Sequence, residues 1–453
     1  NDPQAGWVPA PANLLWPGTR VYLQATPAEG AGESTLNAAR VRIVGEPSAE
    51  RVKQLDLAEV RDAVGANSAV ALLGSQAQPG LYLLNNDRKA QQLWQYENSA
   101  AWVNGDPNAG FILREPQAAG GLSTFTWVRN DGTGLQFFAQ PYHTVQGVAG
   151  DAYGGLWWIE IPQATMDQWQ LWHYDPATAT VALRLQATGN LFKANDESTR
   201  RTPILQAVQP VIPGDVSNVI LYVDTVDTAR QTPYAGVYRL SVQTDAGGSA
   251  RVSDGPKLLL GEGQYRGPLV VSPDLSRLAY FAYDPAVPSL TSGAVKPANR
   301  LNLLTLPGRG ESTAQPVYKT ETRFEFLAPD VAWLGNDRLL AARGRFADGG
   351  TDVDQFGIVQ VQLPPADAGA GGGTGSSAIA ATSYLLPRQQ SLVDFAACLD
   401  GTALLLTRDR DGSQALARWQ GGGQSFPLFG LPAQLDRTHL CWQTAAQPGA
   451  AQE

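Results

Sequence analysis

Apolar and polar residues alternate in short runs along most of the chain, and polar turns separate the runs. The clearest example lies between residues 155 and 186, where LWWIEIP, QWQLWHYDPATAT and VALRLQ follow one another. Alternation with a period of two predicts β-strands, and turn residues between such runs favour antiparallel hairpins. The same order recurs in VSPDLSRLAYFAYDP before RLNLLTL, and in DFAACLDGTALLLTRDRDGSQALARW.

A repeated meander of this kind predicts an all-β protein built as a single β-propeller of four-stranded antiparallel blades. One small meander cannot bury both faces of its sheet, so several must stack radially, with a period of about 40 to 50 residues. Turn signals divide the chain into eight segments, the first at 20–56 and the last at 391–430. Eight blades is therefore the expected number. Seven is the alternative, because the first two segments are the least regular.

The run DRTHLCWQT, which starts at Asp436, remains after the last segment as one further strand. Propellers remove free sheet edges when a terminal strand completes a blade begun at the other end of the chain. We expect residues 439–444 to pack in or beside the blade that contains residues 20–26. The predicted organisation is an N-terminal tether and lead-in at 1–19, the propeller at 20–445 and a C-terminal tail at 446–453.

Three short phrases carry a family resemblance. SPDLSRLAYF (272–281) and CLDGTALLL (398–406) resemble the signature, SPDG followed by a strand, of bacterial WD40-like and TolB-like propeller repeats. YDPATATVALRL (174–185) is similar to the hairpin between outer strands in the same families. The resemblance implies a fold superfamily and brings no substrate or catalytic residue with it.

Composition limits the compartment and the partners. The chain has 33 basic and 42 acidic residues and a net charge of -9, which argues against a nucleic-acid partner because phosphate binding needs a basic face. No run reaches the roughly 18 apolar residues of a membrane-spanning helix. The chain begins at Asn1 and its single Met is Met166, which favours a processed chain whose signal segment has been removed, or else a trimmed chain. We expect an extracytoplasmic protein of the periplasm or cell surface, soluble or held by an N-terminal lipid anchor.

The chain has two cysteines, Cys398 and Cys441, too few for a disulfide scaffold and spaced unlike a zinc site. A single closing disulfide between them is one prediction. Two free thiols in the core are the alternative.

Catalytic signals are weak. The histidines are His143, His173 and His439, and the Gly-x-Ser-x-Gly elbow of a propeller-capped hydrolase is absent from the sequence. Glycoside hydrolysis needs two carboxylates about 5 to 10 Å apart, which inner strands can supply. The candidates near inner-strand ends are Asp151, Asp215, Asp274, Asp330 and Asp394. Acidic turn residues are also expected in any propeller, so the sequence favours a protein that is not an enzyme.

Calcium is the one cofactor with a hint in the sequence, and no cofactor is otherwise expected. Asp348, Asp352 and Asp354 place three carboxylates in the loop ADGGTDVD, and oxygen donors in loops are what calcium prefers. A similar but shorter group is Asp409 with Asp411. Ordinary solvated hairpin turns are the alternative interpretation of both groups.

Together these features predict a non-catalytic recognition or assembly subunit of a cell-surface or envelope protein complex. A carbohydrate-binding or glycan-active propeller is one alternative, and a TolB-like periplasmic propeller that supports envelope transport is another. Loops vary freely on a rigid scaffold, so partner contacts are expected in three insertions, at 224–235, 286–299 and 366–378.

Overall fold

A computed structural model gives the architecture of the chain. It describes residues 21–27, 36–43, 51–58, 70–73, 81–84, 90–94, 100–102, 111–114, 123–129, 132–140, 143–151, 153–162, 168–192, 201–212, 214–228, 230, 232–245, 250–286, 296–307, 310–347, 352–364, 379–397, 403–419, 425–430 and 437–441. Within these ranges nearly all regular structure is β-strand, as the alternation of apolar and polar residues predicts. No helix in the described ranges is long and apolar enough to cross a membrane.

The strands follow one another closely along the chain. The first ten are β1 (Val21–Pro27), β2 (Leu36–Ile43), β3 (Val52–Asp56), β4 (Val70–Leu73), β5 (Leu81–Leu84), β6 (Ala90–Trp94), β7 (Ala100–Trp102), β8 (Phe111–Arg114), β9 (Thr124–Val128) and β10 (Thr133–Phe138). The next twelve are β11 (His143–Gly150), β12 (Leu156–Pro162), β13 (Gln168–Asp175), β14 (Thr180–Thr188), β15 (Arg201–Ile212), β16 (Asp215–Asp227), β17 (Thr232–Thr244), β18 (Ala250–Gly261), β19 (Arg266–Val271), β20 (Arg277–Ala282), β21 (Arg300–Thr305) and β22 (Ala314–Lys319). The last nine are β23 (Glu325–Leu334), β24 (Arg338–Phe346), β25 (Val353–Gln362), β26 (Ala380–Leu385), β27 (Gln390–Ala397), β28 (Ala403–Asp409), β29 (Gln414–Trp419), β30 (Ser425–Gly430) and β31 (Arg437–Cys441).

Five consecutive groups of four strands, from β11–β14 to β27–β30, each form an antiparallel sheet in which sequence neighbours pair. The first strands of these sheets, β11, β15, β19, β23 and β27, contact one another in succession, and β27 then contacts β31. Gly147 of β11 allows one such approach, because its φ is +80° and a Cβ there would collide with the backbone of Leu205. Sheets arranged radially with their first strands innermost form a β-propeller. The predicted fold is confirmed.

The hydrophobic core lies between neighbouring sheets. One cluster joins Phe137 of β10 to Trp158 of β12 and Tyr174 of β13, with ring centroids of Phe137 5.4 Å and 5.3 Å from the other two. Four further clusters connect the following pairs of sheets in the same way, up to the pair β23–β26 and β27–β30. Each meander therefore buries its apolar side chains against the next, which is the physical reason for the repeat.

The closing strand exists, but its predicted partner was wrong. β31 pairs with β4 in a sheet of order β31-β4-β5-β6, so residues 437–441 complete the meander of residues 70–94 and not that of residues 20–26. A strand from the C-terminal part of the chain thus completes a sheet whose other strands come from its N-terminal part. The pattern of the segment indicates a strand, but it does not indicate which edge the strand completes.

The first predicted segment, 20–56, does not form a blade of its own in the described residues. β1 and β2 pair with each other, whereas β3 adds to the outer edge of β10 in a five-stranded sheet of order β3-β10-β9-β8-β7. The described strands make one five-stranded and six four-stranded sheets beside the β1–β2 pair. The blade number of the complete ring stays a prediction.

Candidate functional site

Two of the three insertions lie at the same face of the propeller. We call this face the start face, because the first strand of each sheet begins there. The second strand of an antiparallel sheet ends where the first begins, so connections between second and third strands lie at this face. Residues 224–235 span the β16–β17 connection and residues 286–299 the β20–β21 connection of the next sheet. Residues 366–378 belong to the β25–β26 connection and lie outside the described residues.

The insertion at 224–235 is a hairpin extension, and its prediction as a long loop was wrong. β16 continues to Asp227, β17 begins at Thr232, and Thr225 pairs with Gly236 in the ladder. The Thr225 hydroxyl also donates to the Gly236 carbonyl at 2.9 Å. The ladder therefore fixes the described backbone of this insertion.

A buried carboxylate lies at the base of the hairpin. Asp224 is 4% exposed, and its Oδ1 accepts hydrogen bonds from the Thr225 N–H at 2.7 Å and from the Tyr265 hydroxyl. Burial raises the pKa of Asp224 to about 6, although both hydrogen bonds act in the opposite direction. Burial also raises the pKa of Tyr265, which keeps its phenol protonated as the donor. Strongly perturbed buried carboxylates of this kind are frequent at functional sites.

Arg266, the first residue of β19, connects the two insertions. Its Nη1 donates to the Lys296 carbonyl, and its guanidinium lies 5.7 Å from the centroid of the Tyr283 ring. Tyr234 of the hairpin contacts Gly267, where a Cβ would collide with its hydroxyl. The Tyr234 ring packs edge-on against Tyr265 at 5.7 Å. Residues from both insertions thus meet at the beginning of one strand.

The ends of the second insertion are fixed by hydrogen bonds. The Asn299 side chain accepts from the Asp284 N–H at 2.6 Å and donates to the Asp284 carbonyl at 3.0 Å. Lys319 Nζ lies 2.9 Å from the Asp284 carboxylate, and the Leu327 N–H donates to the Ala298 carbonyl at 2.7 Å. These hydrogen bonds therefore fix both ends of the insertion at the start face.

Arg230 extends from the hairpin turn with its guanidinium held on two carboxylates. Nε lies 2.7 Å from Oδ2 of the buried Asp227, and Nη2 lies 3.2 Å from Glu262. The Arg230 side chain is nevertheless 54% exposed. We call the group Arg230, Tyr234, Arg266, Tyr283 and Lys296 the tyrosine–arginine patch.

A buried ion pair lies at the start face between the five-stranded sheet and the β11–β14 sheet. Glu160 of β12 pairs with Arg51 and also accepts from Trp158 Nε1 at 2.8 Å and from the Gln140 N–H at 2.9 Å. The Arg51 guanidinium lies 3.9 Å from the Trp172 ring centroid. The pattern of apolar and polar residues predicts neither this pair nor Asp224 with Tyr265, because alternation does not indicate which distant residues will meet.

At the opposite face, Asp151 and His173 form a closed structural contact. Asp151 is 1% exposed and accepts from the Gly155 N–H at 2.9 Å and from Trp157 Nε1 at 3.0 Å, while His173 Nε2 faces its Oδ2 at 3.4 Å. Arg184 lies 3.0 Å from His173 Nδ1, and a guanidinium can only donate, so the ring proton is on Nε2. Burial by itself would raise the pKa of Asp151, but the interactions with His173, Tyr153 and Trp157 outweigh it and lower that pKa.

Of the other four candidate carboxylates, two lie apart from the rest and two lie on adjacent strands. Asp215 begins β16, and Asp274 lies in the β19–β20 turn, where its Oδ1 accepts from the Ser276 N–H at 3.0 Å. Asp330 and Asp394 lie on the neighbouring first strands β23 and β27, and each Oδ1 accepts from the N–H of the following residue, at 2.7 Å and 2.8 Å. The structure therefore brings this one pair onto adjacent strands.

Of the calcium candidates, Asp348 lies outside the described residues. Asp352 is exposed, and Asp354 lies 3.6 Å from Arg388 Nε. The described residues contain no group of three or more metal-binding side chains. Calcium at this loop stays a prediction.

Cys398 lies outside the described residues, directly after Ala397, the last residue of β27. Cys441 ends the neighbouring strand β31. The strands β27 and β31 contact each other. The disulfide stays a prediction.

No protein-family model matches the chain, and no curated protein matches it. Among solved structures, the β-propeller domain of the Trilobed protease from Pyrococcus furiosus has a TM-score of 0.43 and 9% identity, covering 80% of this chain and 98% of that one. The periplasmic gluconolactonase of Pseudomonas aeruginosa has a TM-score of 0.40 and 12% identity, covering 82% and 98%. A lectin from Burkholderia pseudomallei has a TM-score of 0.41 and 11% identity, covering 84% and 98%. Likeness at this level assigns no activity to this chain.

Proposed function

We propose that this chain is a non-catalytic, extracytoplasmic β-propeller that acts as a recognition or assembly subunit of a cell-surface or envelope protein complex. The tyrosine–arginine patch is the observation that carries the proposal. Tyrosine and arginine are enriched in protein interfaces and dominate their binding energy, because each combines a large apolar surface with hydrogen-bonding groups. Here Arg230 and Tyr234 come from the first insertion, whereas Arg266 and Tyr283 belong to the adjacent blade.

The rigidity of the patch supports a binding role. Arg230 is held by Asp227 and Glu262, and Arg266 is held by the Lys296 carbonyl. Side chains that are already ordered lose less conformational entropy on association, which improves affinity. The buried carboxylates of Asp224 and Asp227 accept hydrogen bonds from Thr225, Tyr265 and Arg230, which supports the position of the hairpin.

Affinity isolation from the native envelope fraction in mild detergent, followed by mass spectrometry, tests the proposal. The wild-type chain should bring stoichiometric protein companions, and Tyr283→Ala should lose them. Tyr153→Ala is the matched control, because Tyr153 is 48% exposed in the β11–β12 connection at the opposite face.

Equal recovery of companions by both variants would place the contact elsewhere and remove the patch from the proposal. A wild-type chain isolated without companions would argue against an assembly role altogether. The intact mass of the isolated chain also reports whether a lipid is attached at its N-terminus.

A carbohydrate-directed function is the second candidate, and the placement of Asp330 and Asp394 on adjacent first strands favours it. Two carboxylates at a propeller channel could bind or cleave a glycan. Binding to a glycan array, or release of reducing ends from a polysaccharide, that disappears in both Asp330→Asn and Asp394→Asn would support this candidate.

A further inference from the structure

Among the described residues, the outer edge of β26 has no protection against pairing with another strand. Exposed sheet edges normally carry proline, charged side chains or bulges that prevent such pairing. The β26 sequence AATSYL contains no proline and no charge, and five of its six residues are exposed. Its pairing with β25 is regular from Ala380 to Leu385.

The other four-stranded sheets in the described ranges protect their outer edges. In each of them the outermost pairing contains at least one register shift. Proline also interrupts β18, β22 and β30, at Pro256, Pro316 and Pro427. The outer strand β14 carries Arg184 in its middle. The regular, uncharged edge of β26 therefore differs from these edges.

The five-stranded sheet shows what such an edge does in this protein. β10, with the sequence TGLQFF, also has no proline and no charge, and its pairing with β9 contains no register shift. Its outer edge is covered by β3, a strand from another part of the chain. Within the described residues no strand pairs with the corresponding edge of β26.

We propose that the β26 edge binds the β26 edge of a second copy of this chain, as an antiparallel pair related by a twofold axis. Directly opposed residues of an antiparallel pair have their side chains on the same face of the sheet. The twofold axis must therefore pass through one residue position, and the residue at that position faces its own copy. With Thr382 on the axis, Ala381 faces Ser383 and Ala380 faces Tyr384. Leu385, which is 42% exposed, then faces Ile379.

This register is complementary in size and charge. Each large side chain faces a small one or another apolar one, and threonine opposite threonine is a favourable cross-strand pair. Residues 379–387, IAATSYLLP, contain no charge, so two copies meet without repulsion along the strand. Pairing also hides the exposed Leu385 side chain from water.

The test compares Thr382→Lys and Thr382→Glu with the wild-type chain by analytical ultracentrifugation over a range of concentrations. The wild type should form a dimer, and each variant should weaken dimerisation by roughly tenfold or more, because like charges would face each other across the axis. An equimolar mixture of the two variants should dimerise again, since Lys then faces Glu. Thr188→Lys, on the outer strand β14, is the matched control and should dimerise like the wild type.

A wild-type chain that stays monomeric at the highest soluble concentration would overturn the proposal. So would a dimer that both Thr382 variants leave unchanged, or a mixture of the variants that fails to recover it. Circular dichroism of each variant verifies that the fold is retained. The experiment does not involve the tyrosine–arginine patch, so its outcome is independent of the proposed function.

Discussion

At the residue scale, Asp224 combines deep burial with the raised pKa of about 6. Its ordinary value is 3.8, so the folded protein holds the proton more tightly than the unfolded chain. A carboxyl of this kind makes the folded state less favourable as the pH rises from about 4 to 6, and its full effect is on the order of 3 kcal/mol.

The substitution Asp224→Asn should remove this pH dependence. Between pH 4 and pH 7 the Asp224 carboxyl should lower the free energy of unfolding of the wild type by about 2 to 3 kcal/mol. The variant should not show this loss, because its amide has no charge to bury. Urea unfolding at both pH values measures the difference. Asp215→Asn, at the partly exposed beginning of β16, should keep this loss, and its absence there would contradict the assignment to Asp224.

A second residue-scale feature concerns the phrase SPDLS. Leu275 occupies the position that glycine has in the SPDG signature, and its φ is +60°. A left-handed conformation is costly for a residue with a Cβ, by roughly 1 to 2 kcal/mol. Leu275 is 4% exposed within the core between the β15–β18 and β19–β22 sheets, and burial of its side chain offsets that cost. The turn is therefore kept although glycine is absent.

At the scale of elements, β31 pairs a C-terminal segment of the chain with the N-terminal strand β4. A chain that ends at residue 436 lacks it, and the first-strand edge of the β4–β6 sheet would then lose its partner. We expect the truncation to lower the free energy of unfolding by several kcal/mol, since it removes a ladder and the contact of β31 with β27.

Chemical unfolding together with limited proteolysis measures this effect. In the truncated chain, cleavage should begin within residues 70–94. A chain that ends at residue 445 keeps β31 and serves as the control, which should unfold like the full chain. Equal stability of both truncations would show that β31 does not close the ring.

At the scale of the whole molecule, the oxidation state of the two cysteines reports the compartment in which the protein folds. Cys441 ends β31, Cys398 directly follows β27 in the sequence, and β27 contacts β31. In an oxidising compartment we expect a disulfide between them. The intact chain purified without reductant should then be two hydrogens lighter than the reduced chain and should resist alkylation. Two thiols that react freely under native conditions would contradict both the disulfide and the proposed extracytoplasmic location.

The sequence was sufficient to predict the fold and the four-stranded grouping from β11 to β30. The predicted runs LWWIEIP and QWQLWHYD are the observed strands β12 and β13, because alternation and turn residues act over a few neighbouring positions. The existence of a closing strand followed from the same local pattern, since a propeller needs its free edges covered.

Tertiary structure decided which distant segments meet. β31 joins β4, β3 joins β10, and Glu160 meets Arg51 across 109 positions of sequence. Asp224 and Tyr265 likewise come together because the hairpin at 224–235 extends as strand. These pairings depend on shape and burial between whole sheets, whereas periodicity reports the exposure of one face of one strand. The sequence alone therefore determined the fold class, and the packing of the sheets determined the candidate site.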